Sequence, residues 1–495
     1  MTRWLVAIML ALMPMAARAE WREATTPHFL IYSQGSEKSL RQRAERIEAL
    51  NYLMLRANGI QDDPHPYRVR VYVVGSLADV HRMMDKPRDT VVGFYRPRTE
   101  GPVAFIPEGD GNGLAPQIVL FHEYAHHFML QNFPVAYPPW YIEGFAELVS
   151  TASFERAGTI TYGKVADHRS YEFEGRVVNA RDMLLKPPAS EGLNYGDSWL
   201  LTHYLTFSPE RRGQLRAFLS AFNGGASPTE AARAFGDLGK LSREVSSYLS
   251  AANFGYVPVP IPPSIGQSIT VRILPPDEAA MLPLAMEFTK PMDKAAAQAF
   301  LAKVQAATGA LPNSVAALKL RAEVEIDSDA LDAALATTDR LVALAPNDAR
   351  ARYFRGAALL AKAKADIKAQ TGDREAELLA ARREIVAANK LDAEDPLPLL
   401  AFFEVSSMMP GPLPQAAIDA LGRAQEIVAQ DVRTRLTYAS ILIARGDKMR
   451  AARLLRPLAY SPHGGEAAAA ALKMLASLEP AGATPPPPSA APTTN

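Results

Sequence analysis

The stretch FHEYAHHFMLQN (121–132) places His122 and His126 four residues apart, with Glu123 directly after the first histidine. On a helix, residues at i and i+4 share one face, so these two imidazoles can hold one metal ion together. Glu123 sits one position round the same turn, within reach of a metal-bound water without being a ligand. The chemistry calls for that arrangement. Zinc lowers the pKa of its water to about 7, and a nearby carboxylate takes the proton as the water attacks a carbonyl. The surrounding IVLFHEYAHHFML (118–130) reads as an apolar helix, in which two unpaired imidazoles would be costly to bury. With nine histidines in 495 residues, chance would supply HExxH on the order of once per hundred such chains.

Zinc needs a third protein ligand, and without any cysteine it has to be histidine or carboxylate. The longer pattern HExxHxxGxxH is absent, with Met129 at the glycine position and Asn132 at the last. The next helical stretch, PPWYIEGFAELVS (138–150), offers Glu143. Gly144 removes a side chain where this helix and the first are expected to approach closely. Glu147 lies four residues on, on the same face, placed to orient a ligand histidine through its second ring nitrogen. His127 points about 100° away from His126 and reads as a flank of the motif. His65, His81, His168 and His463 have no partners at ligand spacing and read as surface or core residues.

HExxH followed by a helix carrying W..EG.AE resembles the glutamate-zincins (gluzincins), the metallopeptidases that include thermolysin and the aminopeptidase N family. The resemblance is close over about 120–150 and loose in the strand-then-helix order before it. It implies a Zn2+ cofactor held by His122, His126 and Glu143, with Glu123 as general base and Glu147 as the acid one turn after the third ligand. It also implies a zincin-like fold and a peptide or protein substrate. The GxMEN substrate-anchoring motif of the aminopeptidase N type is missing, which argues against that specificity. GPVAFIPEG (101–109) is either the edge strand that pairs with an extended peptide in that family or an ordinary sheet edge. Oxyanion stabilisation needs a further donor, and GLNYGDSWLLTHYLTF (192–207) offers Tyr195, His203 and Tyr204. Tyr195 suits best, because positions at a loop edge face clefts more often than mid-helix ones.

Upstream, HFLIYS (28–33), YRVRVYVV (67–74), VVGFY (91–95) and VAFIP (103–107) are rich in β-branched and aromatic residues and read as strands. SLRQRAERIEALNYLMLRANG (39–59) has helical spacing and a glycine stop. After Ala115 the pattern predicts helices at about 116–132 and 139–153, a hairpin in GTITYGKVADH (158–168), and further helices to about 253. Residues 20–255 thus read as an α+β zincin-like metallopeptidase domain, a mixed sheet followed by the helix bundle that carries HExxH. FGYVPVPIPPSIGQSITVRILPPDEA (254–279) is proline-dense and makes 256–290 a connector with one or two strands, leaving the two halves separable. Beyond it, APND (345–348), AEDP (393–396), AQDV (429–432) and SPHG (461–464) punctuate an Ala- and Leu-rich pattern. The last three are spaced close to the about 34 residues of a tetratricopeptide repeat, and the first gap is longer by an insertion. Residues 291–480 therefore read as an all-α domain of tetratricopeptide-like (TPR-like) helical repeats, whose grooves suit a protein partner. The tail, 481–495, is low-complexity.

A formal net charge of zero gives no basic surface for nucleic acid. Residues 1–19 read as a signal peptide: a basic MTR, the apolar WLVAIMLALMPMA (4–16), then small Ala17 and Ala19 before Glu20, with cleavage after Ala19. That run is short for a bilayer, and no later segment offers a span. Export without cysteine means no disulfides and suits a periplasmic or secreted protein. The expectation is an exported zinc metallopeptidase with a protein-binding repeat domain. Two alternatives stay open. One is a periplasmic scaffold whose zinc domain is inactive or structural, against which an intact Glu123 argues. The other is a metallohydrolase acting on bonds other than peptides.

Overall fold

The computed structural model describes residues 20–86, 91–109, 114–133, 135–155, 158–173, 178–185, 194–461 and 464–478. The expected signal segment and its cleavage after Ala19, His463 and the tail 481–495 lie outside the described residues. The described chain is mostly helical, with a small mixed sheet near its start.

The sheet region runs β1 (Arg22–Thr25), β2 (Phe29–Ser33), α1 (Glu37–Asn58), β3 (Val69–Val74), α2 (Leu77–Arg82), β4 (Phe94–Arg96) and β5 (Val103–Pro107). It leads into α3 (Pro116–Asn132) and α4 (Pro139–Ser150), each opened by a proline that has no N–H to leave unpaired. Then come β6 (Ser153–Glu155), β7 (Thr159–Tyr162), α5 (Ala180–Leu185), α6 (Tyr195–Phe207), α7 (Gln214–Asn223), α8 (Pro228–Ala231) and α9 (Leu238–Ala251). The segment 256–290 contributes β8 (Val257–Pro260), α10 (Ser264–Gln267), β9 (Thr270–Ile273) and α11 (Pro276–Glu287).

The main sheet has the order β4-β5-β3-β2-β1-β9. β2, β3 and β5 are parallel, while β1, β4 and β9 pair antiparallel with their neighbours. The crossover from β2 to β3 is α1, capped by the Ser36 side chain and stopped by Gly59 in the left-handed region (φ 65°). Strand periodicity divides the core. Val69, Val71 and Val73 pack with Leu40, Ile47 and Leu50 of α1, whereas Tyr72 and Val74 pack with Phe105 and with Leu282 and Met286 of α11. The expected edge strand is corrected here. Val103–Pro107 is an interior strand buried along its whole length, and the edge is β4, which pairs through Phe94 and Phe105. Five consecutive buried residues without alternation mark a strand covered on both faces.

Gly144 also acts elsewhere than expected. A Cβ there would collide with the Ser198 carbonyl and the Thr202 hydroxyl, so the close approach it permits is between α4 and α6, not α3 and α4.

The segment 256–290 carries the two strands expected of it, and both pair with the first half. β8 extends the β6-β7 hairpin into a three-stranded sheet, and β9 pairs with β1 from Arg22↔Ile273 to Thr25↔Thr270. α11 then turns Leu282 and Met286 to the main sheet, and Met281 and Leu284 to α12 (Lys294–Gly309) and α13 (Val315–Asp327). A chain ended at residue 255 would lose two strands and one wall of the core. It is expected to be insoluble or to lack a cooperative melt, and proteolysis of the native chain is expected not to release a stable 20–255 fragment. Limited proteolysis with circular dichroism of the truncated chain tests this; a folded, soluble fragment would contradict it.

The C-terminal half continues as antiparallel helix pairs: α13 with α14 (Leu331–Leu344), α15 (Ala349–Ala369) with α16 (Arg374–Leu391), α17 (Pro396–Met408) with α18 (Gln415–Ile427), and α19 (Val432–Ala444) with α20 (Lys448–Ala459). The last described helix is α21 (Gly465–Ala476). APND, AEDP and AQDV fall between these pairs. Asp348, Asp395 and Asp431 cap α15, α17 and α19 through their side chains. The long first gap is taken up by longer helices, 21 and 18 residues in α15 and α16 against 13 in each of α17 and α18.

The array folds back on the first half, so the expected independence of the two is lost. Tyr67 packs against Leu399, Ala424 and Ile427, and accepts a hydrogen bond from Arg350 at 3.2 Å. Gln131, at the end of α3, donates to the carbonyls of Glu426 (3.1 Å) and Ile427 (3.4 Å). Arg456 of α20 donates to the Asn223 carbonyl at 2.6 Å, and Tyr460 meets the Phe222 ring at 5.5 Å.

Candidate metal centre

α3 buries Leu120, Phe121, Tyr124, Ala125, Phe128 and Met129 against the sheet and its neighbours. His122, Glu123 and His126 are left half-buried on one side. The two histidines turn their Nε2 atoms to each other at 3.1 Å. Glu143, fully buried on α4, brings Oε2 to 3.5 Å from each of those nitrogens. Among the described residues these three form the one group of histidine and carboxylate atoms spaced to hold a metal ion. The donor set suits zinc. Bonds of about 2.0–2.1 Å in a tetrahedral site put donor atoms about 3.3 Å apart, and the separations here bracket that value.

Glu147 lies below the triad and is also fully buried. Its carboxylate takes His122 Nδ1 at 3.2 Å, His168 Nε2 at 2.8 Å, and Arg169 through Nε at 3.1 Å and a terminal nitrogen at 2.5 Å. Burial alone would raise the Glu147 carboxyl, but donors from His122, His168 and Arg169 outweigh it and hold the group far below the usual carboxylate range. Burial would likewise lower the His122 imidazole, yet its hydrogen bonds to Glu143 and Glu147 raise it to about 10. A bond to Nδ1 of this kind fixes the ring orientation that turns Nε2 to the metal position.

His168 is therefore not the unpartnered surface or core residue expected from its spacing. It and Arg169 sit on a 3-10 turn, Asp167–Phe173, and both grip Glu147. Sequence reasoning missed them because they approach from a segment about twenty residues after Glu147 with no fixed spacing to it. Tyr195, at the start of α6, does come to the site. Its ring lies 6.1 Å from the His122 ring and under the Arg169 guanidinium at 4.8 Å. Burial and the Glu143 charge push its hydroxyl up to about 12, so at neutral pH it is a donor.

The other candidates lie elsewhere. His203 is buried and bonds the Gly163 carbonyl at 2.7 Å and the Tyr248 hydroxyl at 3.0 Å. Tyr204 donates to Glu244 at 3.1 Å. His127 meets the Tyr95 hydroxyl at 2.8 Å, and burial lowers its imidazole to about 3. His81 bonds the Val91 carbonyl at 2.8 Å, while His65 is exposed.

The centre opens into a cleft of about 600 Å³. His122, Glu123, Arg169 and Tyr195 line one side, and Phe94, Tyr95 and Arg96 of edge strand β4 line another.

No family model matches the sequence, and no curated protein matches it. Among solved structures, the chain is similar to a thermophilic TPR protein of Thermus thermophilus. The two are 17% identical, with a TM-score of 0.34 over 40% of this chain and 99% of that one.

Proposed function

We propose that the chain is an exported zinc-dependent peptidase of zincin-like fold. The observation that carries this is the convergence of His122, His126 and Glu143 at 3.1–3.5 Å, with Glu123 beside them in a cleft bordered by a sheet edge. The edge strand β4 offers its unpaired backbone side to an extended peptide, which adds as one more strand and lays a peptide bond across the centre. Zinc, when bound, supplies a Lewis acid for the scissile carbonyl and an acidified water. Glu123 accepts the proton released in the attack and returns it to the leaving amine. The Tyr195 hydroxyl donates to the developing oxyanion. Glu147, itself held by His168 and Arg169, keeps His122 turned to its task.

The helix pairs after residue 312 are read as TPR-like units. Through Tyr67 and Gln131 they brace the sheet and the end of α3, and their remaining faces are the place for a protein partner. The test is elemental analysis of the mature chain together with an unbiased peptide library. About one zinc per chain, with cleavage lost to a chelator and restored by zinc, is expected. Bound zinc with no cleavage of any peptide would favour the scaffold reading, and no zinc uptake would end the peptidase reading.

A further inference from the structure

A second and larger cavity, about 870 Å³, adjoins the metal centre. Its walls include Arg43 and Arg46 of α1, Gln117 and Phe121 of α3, and the segments 164–168 and 252–256. It shares Ile118 and His168 with the first cleft, so the two spaces meet there. We infer that this cavity is a substrate subsite that takes a carboxylate side chain of an extended polypeptide against Arg46, two residues or more from an internal bond being cut. The inference rests on the peptidase reading and names the substrate class for that site.

The charge distribution singles out Arg46. Arg43 is engaged by Glu108, at 2.6 Å to its carbonyl and 3.2 Å to its carboxylate, and Lys164 by Glu155 at 2.5 Å. Glu108 is thereby neutralised, and Asp167 at the rim is exposed. Arg46 is half-buried, and among the described residues no carboxylate pairs with it. One terminal nitrogen donates to Gln117 Oε1 at 3.0 Å, and the guanidinium lies over the Phe154 ring at 5.4 Å. Those two contacts fix its plane and leave N–H donors for the cavity. A fixed guanidinium with spare donors, partly out of water, is matched by a carboxylate that accepts charge-assisted hydrogen bonds.

The distance from the centre sets the position. Gln117 precedes His122 by five residues, a rise of about 7.5 Å along α3 and a turn of about 140° round it, and Arg46 lies beyond Gln117. An extended chain advances about 3.3–3.6 Å per residue, which places the Arg46 subsite two residues or more from the scissile bond. A cleft that continues past His168 into a second cavity suits an internal bond better than a terminal one.

The experiment profiles cleavage of a peptide library by the zinc-loaded full chain, wild type beside Arg46→Glu and Arg46→Lys. Wild type is expected to favour Asp or Glu over Ala by about tenfold in kcat/KM at one position two residues or more from the cut. Arg46→Lys is expected to weaken that preference and Arg46→Glu to turn it toward Lys or Arg. Binding of an acidic peptide to the Glu123→Gln chain, read by fluorescence anisotropy, should weaken about tenfold when Arg46→Glu is added. Cleavage with no acidic preference, or a preference that survives Arg46→Glu, overturns the subsite and leaves the peptidase standing. Zinc-loaded wild type that cuts no peptide ends both readings.

Discussion

Replacing Glu123 by glutamine is expected to leave about one zinc per chain and to lower peptide turnover by about 10²–10⁴-fold. The amide keeps the size and most of the hydrogen bonding of the carboxylate but cannot accept a proton. Glu123 is half-buried at the cleft wall and is not among the three atoms that converge on the metal position. The substitution should therefore spare both fold and metal. The comparison is turnover per bound zinc in the two proteins, with melting curves as a check on folding. Equal turnover would remove Glu123 as the base and with it the mechanism argued above. Loss of zinc along with turnover would mean that Glu123 also holds the metal position together.

The grouping of His122, His126 and Glu143 was legible because each part is local. His122 and His126 are four residues apart on one helix, and Glu143 and Glu147 are four apart on the next. Helical periodicity alone puts each pair on one face. What periodicity does not carry is the partner across space. Gly144 announced a close approach, yet only the fold says that the neighbour is α6. His168 and Arg169 reach Glu147 from a short 3-10 turn that has no periodic signal. The edge strand was misplaced because β4 has only three residues, whereas the β5 sequence is longer and more apolar. Proline density suggested a free connector. In the fold, Pro258 and Pro260 lie on β8, an edge strand, where a missing N–H costs nothing. The aspartates of APND, AEDP and AQDV, read only as loop signals, cap α15, α17 and α19. The return of the array onto the first half hangs on side chains such as Tyr67 and Gln131, which carry no pattern.

Removing a ligand is expected to have the largest effect on the metal. His126→Ala and Glu143→Ala should each weaken zinc binding by more than the about 10–100-fold that loss of an outer hydrogen-bonding partner costs. Glu147→Gln, which among the three metal-site residues touches only His122, through Nδ1, should fall within that smaller range. Each ligand variant leaves two protein donors where zinc needs at least three. Glu143 brings the further loss of the one negative charge among the three donors. Stability is expected to fall as well. In the metal-free chain Glu143 is a fully buried carboxylate that pairs with His122, and removing one partner of a buried pair leaves the other uncompensated. Metal-free Glu143→Ala is therefore expected to melt lower than metal-free wild type, and the cavity it leaves adds to the loss. Zinc titrations and melting curves of the three variants, with and without chelator, separate the two quantities. Full zinc occupancy in both His126→Ala and Glu143→Ala would show that the metal sits elsewhere. A metal-free Glu143→Ala melt no lower than that of wild type would show that the carboxylate does not support the two histidines in the absence of metal.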